Sequence, residues 1–350
     1  MYKIKSICII AFKIMLIALL ALIFNLLMMP KYIEENHDGR IIAEMYREEL
    51  SPDVIFIGSS TVYFGVNPMI MYDNYGITSY VCASSSQPAW TSYYVLKEAL
   101  NKFKPQMVVF DIGFLTIKDD YAEETSNRKV FDYMKPGYNK YKGVSEAMAA
   151  GESKWDYLFP VLRYHSRYND LSMEDIKYLI NKPAVTYNGF VMNFNQSAPL
   201  TEATPMELAE NVSISPRSAM YLQKIITLCK DNGIDLMLMK TPSYNAKWGE
   251  IFENDITYIA LANNLQYVNF DAYQYMMGID WMQDSPDEGG HLNTFGSEKF
   301  SYYLGTIIND YYDVSDRRED AKYKKVWDKK VERYNSDKVN KIFGDTSGAN

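Results

Sequence analysis

Two short segments carry the residue types that nucleophilic acyl chemistry needs. The first, residues 54–66, reads VIFIGSSTVYFGV and runs a short apolar stretch into Gly58-Ser59-Ser60. Small polar residues placed there fall at the carboxyl end of a strand, the edge at which open α/β sheets bind ligands. A helix starting after Ser60 would add backbone N–H groups able to stabilise an oxyanion. Alone, the same pattern also describes a turn followed by an N-cap. The second segment, residues 284–300, reads DSPDEGGHLNTFGSEKF and contains His291, one of three histidines in the chain. Asp287 precedes it by four residues and Glu288 by three, so either carboxylate could hold the imidazole. Gly289-Gly290 lets the backbone turn tightly between acid and base. Alone, an acid–histidine pair before a helix also serves structure. Together the segments supply a serine, a base to take its proton and an acid to orient that base.

The surrounding elements must bring these residues to one edge. Short apolar runs at 54–57, 79–82, 107–110, 234–239 and 267–270 read as five buried strands. Helical stretches are expected at 88–103, 215–229, 248–263 and 294–312. Strands alternating with helices predict an α/β fold with a central parallel sheet covered on both faces. Residues 115–214 break the rhythm. They read as a large insertion between the third and fourth strands, lying over the sheet's loop edge, with one helix at 172–181.

Residues 7–29 form a 23-residue apolar run interrupted by Lys13 and Asn25. At 1.5 Å per residue it is long enough to cross a hydrocarbon core of about 30 Å. Pro30-Lys31-Tyr32 stands where a cleaved signal peptide would carry a small-residue site, so an uncleaved anchor in the bilayer is expected. Lys3 and Lys5 before the run, and Glu34, Glu35 and Asp38 after it, predict a cytoplasmic N-terminus (residues 1–6) and an extracytoplasmic main domain. Residues 30–52 read as a polar stalk ending in a short helix. The main domain would then span 53–313, and 314–350 would form a charged tail, helical around Trp327 and then disordered to Asn350.

The chain of 350 residues is 47% hydrophobic and 23% charged, ordinary globular values that exclude a disordered chain and a polytopic membrane protein. Its net charge of −8 argues against a nucleic-acid partner. Three cysteines exclude a disulfide scaffold, and at most Cys82 and Cys229 could pair. The sequence has no metal-ligand constellation, Walker loop or GxGxxG motif, and no cofactor is expected. Asn195 and Asn211 fit the glycosylation pattern.

With Gly58-Ser59-Ser60 near the start and Glu288-Gly-Gly-His291-Leu-Asn near the end, the chain resembles the SGNH (GDSL-like) hydrolases over roughly 53–114 and 216–312. In layout it is similar to their membrane-anchored cell-envelope members, such as teichoic-acid D-alanine transfer proteins and polysaccharide O-acetyltransferases. The resemblance implies a three-layer, flavodoxin-like SGNH domain. It makes Ser60 the nucleophile, with Ser59 as fallback, and His291 the base. The acid falls on Glu288 by spacing and on Asp287 by residue type. Ala83 or Ser84 would supply a backbone oxyanion donor. The family's asparagine is missing after the third strand, where Asp111-Ile112-Gly113-Phe114 stands, and Gln87 is an alternative donor.

The implied function is that of a membrane-tethered esterase or O-acyltransferase acting on a cell-envelope or capsular glycan, with a membrane acyltransferase partner handing over the acyl group. The alternative is a catalytically degenerate domain that binds glycan or scaffolds an envelope complex. In the insertion, Arg163, His165, Arg167 and Asp170 form the densest polar cluster, readable as a substrate cleft or as a salt-bridged packing loop.

Overall fold

Five parallel strands form the centre of the chain in the order β2-β1-β3-β4-β5, where β1 is Val54–Gly58, β2 Ser79–Ala83, β3 Met107–Asp111, β4 Asp235–Lys240 and β5 Gln266–Asn269. The computed structural model describes residues 2–32 and 37–344, with side chains from Ser6 onward. The side chains of Lys3 and Lys5, residues Glu34 and Glu35, and the segment 345–350 expected to be disordered lie outside the described residues. Residues of β1, β2 and β3 are buried throughout, as continuous apolar runs covered on both faces must be. β5 is half-buried, as suits an edge. The order is flavodoxin-like, and the winding reverses between β1 and β3. A crevice opens at the carboxyl ends of strands at such a reversal.

Helices Ala89–Lys102 and Pro216–Asp231 pack together on one face, and Pro68–Tyr75 packs with Thr294–Tyr311 on the other. The expected strands and long helices are all present, with ends shifted by one or two residues. Cys82 and Cys229 are both buried free thiols, so the one pairing that the sequence allowed is not made.

The expected stalk is part of the core. Ile41, Ile42 and Met45 are buried in the main cluster, and the Tyr80 hydroxyl donates to the Ile41 carbonyl at 2.7 Å. Glu44 accepts from the Val185 and Thr186 N–H groups at 2.9 and 3.2 Å and from the Thr186 hydroxyl at 2.6 Å. The charged tail likewise docks. Helix Ala321–Phe343 buries Trp327 and Tyr334, and Trp327 stacks on Tyr72 with ring centroids 5.2 Å apart. Arg317 anchors the turn before this helix with a two-pronged bond to Asp53 at 2.6 and 2.9 Å.

The insertion divides in two. Its helices Glu124–Phe131 and Tyr138–Ala147 pack together, the first against residues His37–Arg40 and the second on Ala89–Lys102. Residues 186–198 form a strap that reaches the loop edge. Val81 N–H donates to Asn188 O at 2.9 Å, so the strap partly covers the free edge of β2. Gly189 has φ +89°, and a Cβ there would stand 2.1 Å from the Val81 carbonyl oxygen, so only glycine lets the strap lie this close. The strap then pairs with the segment around His291 through Ser197 N–H to Ser285 O at 2.9 Å and Glu288 N–H to Ser197 O at 3.0 Å.

Helix Tyr2–Met28 is long and apolar enough to cross a membrane, and its residues from Ser6 to Phe24 are exposed.

Candidate active site

β1 delivers Ser60. The strand ends at Gly58, Ser59 remains extended, and Ser60 opens a six-residue helix, Ser60–Gly65. This helix turns directly over the strand end. A Cβ on Gly58 would stand 2.4 Å from the Val62 side chain and 2.8 Å from Asp111 Cβ, which explains the glycine before the serines. Ser60 Oγ lies 2.7 Å from His291 Nε2. The fallback Ser59 is buried, and its hydroxyl lies 3.3 Å from that of Thr61 instead.

The loop between residues 284 and 291 is shaped by its own side chains. Ser285 Oγ accepts from Gly289 N–H at 2.7 Å and Asp287 N–H at 3.2 Å. Asp287 Oδ1 accepts from the His291 backbone N–H at 2.8 Å, while Oδ2 is hydrogen-bonded to His291 Nδ1. Of the two acids kept open by sequence, Asp287 therefore holds the imidazole and Glu288 does not. Glu288 has φ +61° and Gly289 φ +94°, and this left-handed pair lets Asp287 close back onto residue 291. Burial alone would raise the Asp287 carboxyl. The hydrogen bonds and charge of His291 outweigh it and hold the carboxyl below the usual aspartate value. The imidazole meets the Phe64 ring at 5.5 Å in an edge-on arrangement. Asn293 caps the next helix by accepting from Phe295 and Gly296 N–H at 3.0 and 3.1 Å, fixing the chain two residues after the histidine.

Ser60 and His291 open into a cleft of about 350 Å³. Its other wall comes from the ends of β3 and β4: Asp111, Gly113 and Phe114, then Lys240, Thr241, Asn245 and Lys247. Asp111 ties these two strand ends together. It accepts from Gly113 N–H at 2.8 Å, from Thr241 N–H at 2.8 Å and from the Thr241 hydroxyl at 2.6 Å. Lys240 is paired with Asp271 at 2.5 Å and with Ser243 at 2.8 Å. Lys247 makes no ion pair among the described residues; its ammonium lies 5.6 Å from the centre of the Phe114 ring. A second cleft of about 480 Å³ shares Lys240, Ser243, Ala246 and Lys247 and extends the groove toward Trp248 and Glu253.

The other expected site residues do not form the cleft's lining. Ala83, Ser84 and Gln87 do not line the cleft. The end of β2 nevertheless lies beside the end of β1, with Ala83 in register with Gly58. Gln87 is spent on Ser84 at 3.0 Å and Ser92 at 3.1 Å. Arg163 pairs with Glu124 at 2.7 Å, and His165 Nδ1 bonds the Leu162 carbonyl at 2.9 Å. Their neighbour Arg167 grips the end of the N-terminal helix, so this cluster packs the insertion and is not part of the cleft. Sequence reasoning missed the loop after β4. Its signal was the polar run Lys240-Thr241-Pro242-Ser243 directly behind an apolar strand, the same grammar that singled out Ser60.

No family model matches the chain, and no curated protein matches it. Among solved structures it is similar to a gut microbial diltiazem-metabolizing enzyme, at 12% identity and a TM-score of 0.28. That alignment covers 75% of this chain and 48% of the other, so the chain spans about half the length of that structure. A likeness of this degree does not define a shared function.

Proposed function

We propose that the protein is a serine-dependent ester hydrolase or O-acyltransferase of SGNH type, tethered by its N-terminal helix and acting outside the cytoplasm on a cell-envelope or capsular glycan. One observation carries the reading: the chain Ser60 Oγ, His291 Nε2, His291 Nδ1, Asp287 Oδ2 at the mouth of a cleft. The resemblance in sequence supplies the glycan and the envelope setting.

In the proposed reaction the Ser60 hydroxyl proton moves to His291 Nε2 as Oγ attacks the ester carbonyl carbon. Asp287 keeps the proton of the imidazole on Nδ1 and stabilises the imidazolium. His291 then gives the proton to the departing alkoxide, leaving an acyl group on Ser60. Water or a sugar hydroxyl, deprotonated by His291, attacks this acyl-serine and releases the free acid or the acylated glycan. Because the triad faces outward under this reading, a membrane acyltransferase partner would deliver the acyl group.

The full-length protein in detergent, treated with a fluorophosphonate probe beside its Ser60→Ala variant, tests the reading. Labelling confined to the wild type is expected. A folded wild type that does not label would instead favour the glycan-binding scaffold.

A further inference from the structure

The end of the N-terminal helix is locked into the insertion. Exposure ends between Phe24 and Asn25, and Met28 and Met29 are buried. Asn25 Oδ1 accepts from Val161 N–H at 2.9 Å. The last carbonyls, left without partners by any helix end, receive cations. Arg167 donates to Met28 O and Met29 O at 2.8 Å each, and Lys31 donates to Leu27 O at 3.0 Å. Positive charge at this terminus also suits the helix dipole. Ser6 to Asn25 is twenty residues, about 30 Å of helix, which matches a hydrocarbon core. The domain therefore begins where the core would end.

The elements around that junction leave apolar side chains exposed. In helix Met173–Ile180 the acidic Asp175 points inward, where it meets Arg167 at 3.2 Å and Lys31 at 3.3 Å. The apolar stripe Met173, Ile176 and Ile180, spaced three and four apart, faces out, and Ile180 is 89% exposed. Leu162 is also exposed, as is Trp155, stacked on exposed Phe159 with centroids 6.1 Å apart. Large apolar side chains left exposed together on a domain mark an interaction site. Elements Val161–Tyr164, His165–Asn169 and Met173–Ile180 all pack against the N-terminal helix, whose residues Leu22 and Phe24 are themselves exposed.

We propose that residues 155–180 form a collar seated in the headgroup layer of the bilayer that the N-terminal helix enters, so that the domain lies on the membrane surface in one fixed orientation. The proposal rests on the membrane-spanning reading of that helix. Lipid is the occupant because elements of the collar pack against the helix where it would emerge from the hydrocarbon core. Tryptophan and other aromatic rings among aliphatic side chains also suit that layer.

Trp155 gives a direct readout, because Trp90, Trp248, Trp281 and Trp327 are all buried. The full chain is reconstituted in phosphatidylcholine vesicles whose acyl chains are brominated near the glycerol end, beside Trp155→Phe and the double variant Trp155→Phe with Ile180→Trp. Tryptophan quenching is expected in the wild type, absent in Trp155→Phe and restored in the double variant. Protein that floats with the vesicles and resists alkaline extraction, yet shows no such pattern, overturns the collar while leaving the anchor standing. Protein that does not stay with the vesicles overturns the anchor, and the collar with it.

Discussion

Asp287 holds His291 twice, once through the backbone N–H at 2.8 Å and once through the ring Nδ1, so a single carboxylate sets both the chain direction and the imidazole orientation. The neighbouring Glu288 makes this closure possible through its backbone, at φ +61°. The two acids thus have separable roles. Asp287→Asn is expected to lower ester turnover by about 10³-fold or more, through loss of the correct tautomer. Glu288→Gly relieves a left-handed non-glycine residue, so turnover should stay within about twofold and stability should rise by up to about 1 kcal/mol. Steady-state hydrolysis of an activated acetate ester and a thermal melt decide it. Loss of activity in Glu288→Gly with survival in Asp287→Asn would reverse the assignment.

That ambiguity shows where the sequence ran out. Spacings of three and four before His291 are both compatible with an acid–base contact, and only the left-handed turn at Glu288 and Gly289 separates them. The strands and long helices were legible because apolar runs and helical periodicity are local properties. So was the pairing of Ser60 with His291, because the chemistry needs both types at one sheet edge. The stalk was misread because RIIAEMYREEL looks polar, although Ile41, Ile42 and Met45 make one apolar face. The tail's helix around Trp327 was legible but its docking was not, although Trp327 and Tyr334 stand two turns apart on one stripe. The oxyanion donors assigned to Ala83, Ser84 and Gln87 came from the resemblance alone, and none of the three lines the cleft.

The strap from 186 to 198 should be a stability determinant as well as a support for the His291 loop. Gly189→Ala forces a Cβ against the Val81 carbonyl at a backbone angle that L side chains rarely adopt. A loss of about 2–3 kcal/mol is expected, read as a lowered melting temperature in detergent. An unchanged melt would mean that the strap does not pack on β2 as described.

Lys247 stands in the cleft wall opposite the triad without an ion-pair partner among the described residues, whereas Lys240 is neutralised by Asp271. A cation there can meet the charge that develops on an ester oxygen or an anionic group on the acceptor. Lys247→Met is expected to reduce kcat/KM by about 10- to 10²-fold, while fluorophosphonate labelling of Ser60 persists. Unchanged kcat/KM would leave Lys247 as a bystander at the rim.

Asp132 makes stability depend on pH in a direction opposite to most carboxylates. It is buried, accepts from Arg128 at 3.2 Å and from the Tyr164 hydroxyl at 2.8 Å, and burial nevertheless pushes its carboxyl up to about 6 from 3.8. The folded state therefore binds this proton more tightly than the unfolded chain does. Stability from this group is present below about pH 4 and is lost as pH rises through about 6. At 1.36 kcal/mol for each tenfold change in proton affinity, the loss is at most about 3 kcal/mol. Asp132→Asn removes the titration while keeping an acceptor for Tyr164. The stability of the wild type relative to Asp132→Asn should accordingly fall between pH 4 and pH 6 and stay level above. Paired melts across that range measure it. A relative stability that climbs with pH would show that the ion pair with Arg128 outweighs the cost of burial, and that Asp132 is ionised throughout.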